Sequence, residues 1–502
     1  MVISPETFTV NRKAKIICTI GPATNNREMI RSLILAGMDV ARLNFSHGTY
    51  DDHREVTKII REVSAEIGKP VAILQDLQGP KIRTGKLKNG PITLTPGQEF
   101  TITTEQVEST ESLVSTTYTE LAKDLGPGNV ILIDDGLLQL DVLESDGVKV
   151  KCKVIHGGLL KNNKGINIPD VKLTAPALTE KDKLDLQVGL ECDVDYIALS
   201  FVREAKDVVE LKELIQKAGK DTPIIAKIEK PQALRHINEI LDVSDGIMVA
   251  RGDLGVELTP EKVPVVQKKL IKKANEKGIL VITATQMLES MIKNPCPTRA
   301  EASDVANAIF DNTDAVMLSG ETASGNFPIE VVKMMARIIE ETEKAISYPR
   351  KIYSDLEDED PVSPKDPPGF VPSSISRLAC EAAREVNATA VVVFTASGAA
   401  ALRVSKCRSN CRVIALSPYP KIQRRMELYW AVQSAIINDE LDTTETIEEV
   451  MNKVDEILLS TGIFKPGDVV IVTAGAPSPI SGTANLLKIH TLGSQDSLIE
   501  IS

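Results

Sequence analysis

At 502 residues the chain is longer than one hydrophobic core serves, so several domains are required. Apolar residues make up 42% and charged residues 25%, a globular balance that excludes bulk disorder. The net charge of -12 excludes a nucleic-acid binder held by a general basic surface, but it leaves room for a small basic pocket.

The N-terminal stretch "MVISPETFTVNRKAK" lacks the apolar segment of a secretory leader. No apolar run approaches the ~20 residues of a membrane span. Seven dispersed cysteines without a CxxC pair suit a reducing compartment. The expectation is a cytoplasmic protein without membrane or nucleic-acid partners. Cys407 and Cys411, the close pair, read as ordinary buried residues.

Eight apolar runs follow, each with polar residues at its C-terminal end: 15–21, 40–46, 71–77, 196–202, 224–229, 246–253, 280–286 and 315–321. Near-continuous apolar runs fit parallel strands covered on both faces. Amphipathic helices lie between most of them: Val56, Ile59, Ile60, Val63 and Ile67 make one stripe, and Val263, Val266, Leu270, Ile271 and Ala274 another. Eight βα units predict a (β/α)8 TIM barrel, an α/β fold whose site lies at the C-terminal ends of its strands. Between the third and fourth strands about a hundred residues intervene, too many for an ordinary connection. Their alternating pattern and "SDG" turn predict a small all-β lid. After the barrel, "YPRKIYSDLEDEDPVSPKDPPGFVPSS" reads as a linker, and a second α/β domain follows. The expected divisions are 1–79 and 178–347 for the barrel, 80–177 for the lid and 348–502 for the C-terminal domain.

Alternate residues of a strand share a face. Arg42, Asn44 and Ser46 are therefore grouped on strand two, Lys227 and Glu229 on strand five, and Arg251 and Asp253 on strand six. Thr283 pairs with Thr285 on strand seven, with Thr283 read as structural, and Ser319 with Glu321 on strand eight. Charges on the inward face of a barrel are costly without partners, so their convergence on one rim points to a site. Glu229 and Asp253 offer carboxylate oxygens suited to Mg2+. Lys227, Arg42 and Arg83 supply cations for a transferring phosphoryl group, and Thr285 and Ser319 supply hydroxyls. No Ser-His-Asp triad, HExxH helix or GxxxxGK[ST] loop is present.

The strings "ARLNFSHG" (41–48), "AKIEK" (226–230), "MVARGDLGVE" (248–257), "TATQMLESM" (283–291), "PTRAEASDVANAI" (297–309) and "MLSGETASGNFP" (317–328) closely resemble the pyruvate kinase family, in the family's order and across the whole barrel. "NNKGINIP" (162–169) matches the end of the insert, and the last domain is similar too. The resemblance implies phosphoryl transfer from phosphoenolpyruvate to ADP, giving pyruvate and ATP, with Mg2+ or Mn2+. It implies that Lys227 stabilises the phosphoryl group and that Glu229 and Asp253 bind the metal. Arg42, Lys227, Gly252, Asp253 and Thr285 would hold substrate, with Thr285 and Ser319 near the protonation path. Asn44, Ser46, His47, Arg83 and Lys164 would touch nucleotide phosphates. A homotetramer is also implied.

Two departures from the family pattern stand out. Many members bind K+ near the residues matching Asn44, Ser46, Asp76 and Leu77, with a glutamate at the position of Lys81. Here a lysine follows Leu77 and Gln78, and a fixed ammonium repels a second cation while supplying its charge. The expectation is that K+ is not required. In the C-terminal domain the loop "TASGAAAL" keeps Thr395, Ser397 and Gly398 of the family's sugar-phosphate loop but loses later hydroxyls, and "AGAPSPISGTAN" lacks an arginine that some relatives carry. A phosphorylated effector is expected, a monophosphate rather than a bisphosphate. The chain is expected to lack the extra C-terminal domain of some bacterial relatives. The rival readings are another metal-dependent barrel enzyme such as an aldolase, and a non-enzymatic metabolite sensor.

Overall fold

Eight of the apolar runs form parallel strands in the computed structural model, which describes residues 12–346 (except 89, 170, 172, 173 and 175), 370–437, 446–475 and 485–494. They are β1 (Lys15–Ile20), β2 (Val40–Asn44), β3 (Ala72–Asp76), β4 (Tyr196–Leu199), β5 (Ile224–Ile228), β6 (Gly246–Ala250), β7 (Leu280–Ala284) and β8 (Ala315–Leu318). Each pairs with its sequence neighbours, and β8 pairs with β1 to close the barrel. The strands are almost wholly buried, as the unbroken apolar runs require.

Helix Tyr50–Ile67 shows how the sequence sets the outer layer. Thr49 and Asp52 form a reciprocal capping box, Gly68 ends the helix in the left-handed region, and Val56, Ile60, Val63 and Ile67 are buried. Ile59 packs only partly against the core. Helix Val263–Glu276 buries Gln267, Leu270, Ile271 and Ala274, while Val263 and Val266 lie at its edge.

The strands stop short of the predicted runs. Backbone turns begin at once: Phe201, Thr285 and Gln286 have positive φ, and short helices open at Arg251 and Gly320. Ser46, Glu229, Arg251, Asp253, Thr285, Ser319 and Glu321 therefore sit just beyond the strand ends, where their directions follow local turns instead of the strand alternation.

The insert after β3 has a six-stranded sheet, a two-stranded sheet and a separate core around Phe100, Ile131, Leu140, Val150 and Cys152. Its "SDG" turn joins the long hairpin, with Asp146 Oδ1 accepting from Val148 N at 2.8 Å and Gly147 at φ 88°. The insert is not purely β, because Leu121–Asp124 forms one helical turn. Gly79 leads into it at φ +68°, and a Cβ there would stand 2.6 Å from Phe201 Cδ2, so the position requires glycine.

The C-terminal domain has a five-stranded sheet, four strands parallel and the last (Leu486–Thr491) antiparallel. It packs on the barrel's N-terminal face, opposite the polar strand ends. Lys406 and Arg408 pair with Asp314 just before β8, at 2.6 and 2.8 Å. Arg424 pairs with Asp195 just before β4 at 2.8 Å, and Lys15 at the start of β1 reaches Val432 O at 2.7 Å. Of the expected linker at 348–374, residues 348–369 lie outside the described residues, as does most of the late loop (476–484), while 370–374 open the helix Phe370–Glu385 instead of belonging to a linker. No helix among the described residues is long and apolar enough to cross a membrane.

Candidate functional site

Strands β2, β3, β4 and β5 bring their ends together around Lys227. Its Nζ donates to Ser200 Oγ at 2.7 Å and lies 3.1 Å from Asp76 Oδ1 and 2.9 Å from Glu229 Oε1. Asp76 closes the other side, its Oδ2 accepting from Arg42 Nε at 2.7 Å, and Arg42 Nη1 donates to Thr19 Oγ1 at 2.9 Å. Side-chain exposure is only 11% for Lys227, 2% for Asp76 and 1% for Glu229. These are desolvated charges held by one another.

Their ionisation follows. Burial alone would favour neutral Lys227, but Asp76 and Glu229 outweigh it and hold the ammonium charged above the usual lysine range. Burial would likewise raise Asp76, yet Lys227 and Arg42 keep it below the carboxylate norm. Glu229 goes the other way, pushed up by burial and by the charge of Asp253, with Lys227 opposing.

Two cations thus face three carboxylates. The excess negative charge on Glu229 and Asp253 is what a divalent cation relieves, so the donor set fits one. Glu229 Oε2 is fixed by the Phe201 N–H at 2.8 Å. Among the described residues no cluster of three or more metal-ligating side chains exists, so a metal here would take further oxygens from water or substrate, as Mg2+ does.

On the next strands Thr285 Oγ1 accepts from Gly252 N at 2.7 Å and donates to Ala284 O at 2.6 Å, with Thr285 itself at φ 69°. The strained turn points this hydroxyl at the helix start that carries Asp253. Ser319 stands just before the short helix Gly320–Ala323 with no capping bond from its hydroxyl, and its N–H goes to Glu321 Oε2 at 2.7 Å. Thr283 is buried against Thr313, as its structural reading requires.

A basic edge flanks this centre. Partial desolvation and the charges of Arg83, Lys81 and Arg42 hold the surface His47 below the usual imidazole range, which favours its neutral form. Asn44 Oδ1 accepts from Ser46 N at 3.1 Å and shapes the turn that carries His47. Arg83 Nη1 donates to Asn163 O at 3.2 Å on the insert's edge. Lys81 and Asp253 both line the cleft between insert and barrel, together with Asn167, Phe201, Arg203 and Lys230. Leu77 is buried, and its carbonyl accepts from Ser200 Oγ at 2.7 Å.

Some candidates stand apart. Lys164 pairs with Asp134 inside the insert at 2.8 Å. Arg251 turns outward to Asp304 at 2.7 Å and to Thr285 O, so it braces the turn and does not share a face with Asp253. Glu321 is spent on the backbone of Ser319 and Leu288. Thr395 Oγ1 accepts from Gly398 N at 2.9 Å at the start of helix Ala399–Lys406; Ser397 belongs to the same loop, in the C-terminal domain. Ser200 and Thr19, which complete the charged cluster, escape the sequence reading because their runs, 196–202 and 15–21, carry no charged residue at the C-terminal end to draw attention to the hydroxyl.

The family description "Pyruvate kinase, barrel domain" matches residues 11–332, and "Pyruvate kinase, alpha/beta domain" matches residues 373–490. The chain is 45% identical to pyruvate kinase 2 of Synechocystis sp. over 491 residues, which is 97% of this chain and 80% of that protein. It is 45% identical to pyruvate kinase of Staphylococcus aureus over 486 residues, or 96% and 81%. A crystal structure of a pyruvate kinase from Cryptosporidium parvum superposes with a TM-score of 0.88 at 38% identity, covering 98% of each chain.

Proposed function

The chain belongs to the pyruvate kinase family, a family of phosphotransferases that generally use Mg2+, and from that premise we propose the following chemistry. The enzyme moves the phosphoryl group of phosphoenolpyruvate to ADP, forming ATP, and enolpyruvate is protonated to pyruvate. The observation that carries this reading is the buried Lys227 ammonium, held charged between Asp76 and Glu229 at the mouth of the barrel. A fixed cation there stabilises charge on a transferring phosphoryl group without reorganising solvent.

Arg42 is oriented by Asp76 and Thr19 to receive substrate anionic oxygens, together with Gly252, Asp253 and Thr285. Glu229 and Asp253 would hold Mg2+, or Mn2+ in its place; when bound, the ion would supply positive charge to anionic oxygens of the substrate. Thr285, whose hydroxyl is fixed by Gly252 N–H and Ala284 O, and Ser319 lie on the path that brings a proton to the enol carbon. Neutral His47 with Asn44, Ser46 and Arg83 meets the nucleotide phosphates, and Lys164 joins them when the insert closes.

Lys81 takes the part that K+ plays beside Asn44, Ser46, Asp76 and Leu77 in relatives, so K+ is not required. The loop of Thr395, Ser397 and Gly398 binds a phosphorylated monoester effector, through which the C-terminal domain regulates the barrel. A homotetramer rests on the family resemblance alone, and the cytoplasmic placement on the dispersed cysteines. The deciding experiment is a coupled assay for ATP from phosphoenolpyruvate, ADP and Mg2+. ATP formation that needs all three is expected. Carbon–carbon cleavage without ADP would instead make the protein an aldolase-type barrel.

A further inference from the structure

Three of the seven cysteines gather in the C-terminal domain, from three different segments. Cys380 lies in helix Phe370–Glu385 and is 1% exposed; Cys407 ends helix Ala399–Lys406, and Cys411 precedes the strand Arg412–Ser417. Cys407 and Cys411 are half-buried, and no disulfide is present among the described residues. Val404 O joins the two residues, because it accepts from Cys407 N at 3.1 Å and lies against Cys380 Sγ. Cys380 Sγ donates to Val404 O at 3.8 Å, and Cys407 Sγ to Arg403 O at 3.3 Å. Cys411 is held differently, its sulfur 3.0 Å from Ser409 Oγ. Among the described residues no group of three or more His, Cys, Asp or Glu side chains is arranged to hold a metal ion.

We propose that Cys380 and Cys407 are a modification site that forms a reversible disulfide when the enzyme meets a hydroperoxide. Two cysteines gathered about one carbonyl are placed for side-chain rotation to bring their sulfurs to bonding distance, roughly 2 Å. The half-exposed Cys407 reacts first. The hydroperoxide gives one oxygen to its sulfur, forming a sulfenic acid and releasing water from hydrogen peroxide. The Cys380 thiol then displaces that oxygen as a second water, and the S–S bond forms. Both thiol protons leave in the two waters, and the peroxide accepts the two electrons.

Chemistry sets the speed. Cys407 caps the C-terminus of a helix, where the dipole disfavours a thiolate, and the neighbouring Cys407 and burial hold Cys380 as a thiol. The bridge is therefore a slow one, formed under sustained oxidant. Its position gives it a mechanical consequence. Cys407 stands between Lys406 and Arg408, which grip Asp314 immediately before β8. A bridge would tie that grip to helix Phe370–Glu385.

The test is peptide mapping of the full chain after hydrogen peroxide treatment, without reductant. A Cys380–Cys407 peptide with a loss of about 2 Da, restored by dithiothreitol, is expected. Cys380→Ala should abolish the bridge and leave a Cys407 sulfenic acid that dimedone traps, whereas Cys411→Ser should keep the bridge. Exposed Cys296 is the internal control for oxidant access. A Cys407–Cys411 bridge, sulfinic acid at Cys407 without a bridge, or oxidation confined to Cys296 would overturn the proposal.

Discussion

Asn167 of the insert donates its Nδ2 hydrogen to Glu257 Oε1 at 3.0 Å, and the same buried carboxylate takes the ammonium of Lys230. Lys230 follows Glu229 directly, and Glu257 closes the short helix that carries Asp253. One carboxylate thus links the insert to both segments that present the proposed metal donors, Glu229 and Asp253. Lys230 also stands over the Phe201 ring at 5.6 Å, the residue whose N–H holds Glu229. Asn167→Ala removes a buried hydrogen bond to a carboxylate, worth about 1.5–3 kcal/mol, so the melting temperature should fall and kcat/KM for ADP should drop about fivefold. Asn167→Asp sets like charges together and should cost more. Steady-state kinetics showing both variants equal to wild type would rule out this link.

Lys227→Met leaves Asp76 and Glu229 buried with one cation fewer. Turnover should drop about 10^3-fold, and stability should fall by about 3–5 kcal/mol. Added Mg2+ should raise the melting temperature more in the variant than in wild type, because Glu229 loses its competing ammonium. Turnover near wild type would remove Lys227 from the chemistry.

Lys81 is exposed at the cleft, so its substitution spares the core. Wild type should turn over equally in Mg2+ buffer with and without K+. Lys81→Glu should be slow in K+-free buffer and recover at least about tenfold when K+ is added. A wild-type enzyme that K+ stimulates a hundredfold would sink the idea.

Asp39 gives a sign-definite pH dependence. Burial would raise its carboxyl, but Arg12, Lys69 and Lys15 outweigh it and bring it to about 2, against 3.8 ordinarily. The folded state therefore gains about 2 kcal/mol from this group above pH ~4, and the gain disappears as pH falls toward 2. Asp39→Asn should flatten that part of the acid-unfolding curve and destabilise the protein at neutral pH, since Arg12 stays buried without its 2.8 Å partner. Parallel acid-unfolding curves for the two proteins would contradict this.

A monophosphate ester should move the phosphoenolpyruvate saturation curve, and fructose 1,6-bisphosphate should move it less. Thr395→Ala, which removes the hydroxyl that holds Gly398 N, should abolish the shift and leave activity without effector intact. Silence from every sugar phosphate and from AMP would refute effector binding at this loop.

The barrel was legible because its strands are unbroken apolar runs, and Lys227, Glu229 and Arg42 because buried charge at strand ends has few explanations other than a site; Asp76 entered only through the family's K+ region, and its ion pairs with Lys227 and Arg42 were not foreseen. The alternation rule misjudged Arg251, since a helix begins there and its side chain swings to Asp304. Ser200 and Thr19 stayed hidden because a hydroxyl at a strand end is common in any barrel. The Asn167–Glu257 bond was illegible for a different reason. It depends on how one folded unit docks on another, and no local pattern in either segment encodes that angle.

The same division shapes how the chain must fold. Leu74 of β3 pairs with Tyr196 of β4, neighbours in the barrel separated by about 120 residues. Closure entropy grows only with the logarithm of loop length, about 0.6 kcal/mol per doubling, so the separation is tolerable in equilibrium terms. Kinetically it is the long-range contact that ordinary βα connections avoid. Because the insert has a core of its own, it can collapse first and bring its two ends together, turning a long flexible loop into a short tether. The lid would then act as the barrel's assembly clamp before it ever covers a substrate.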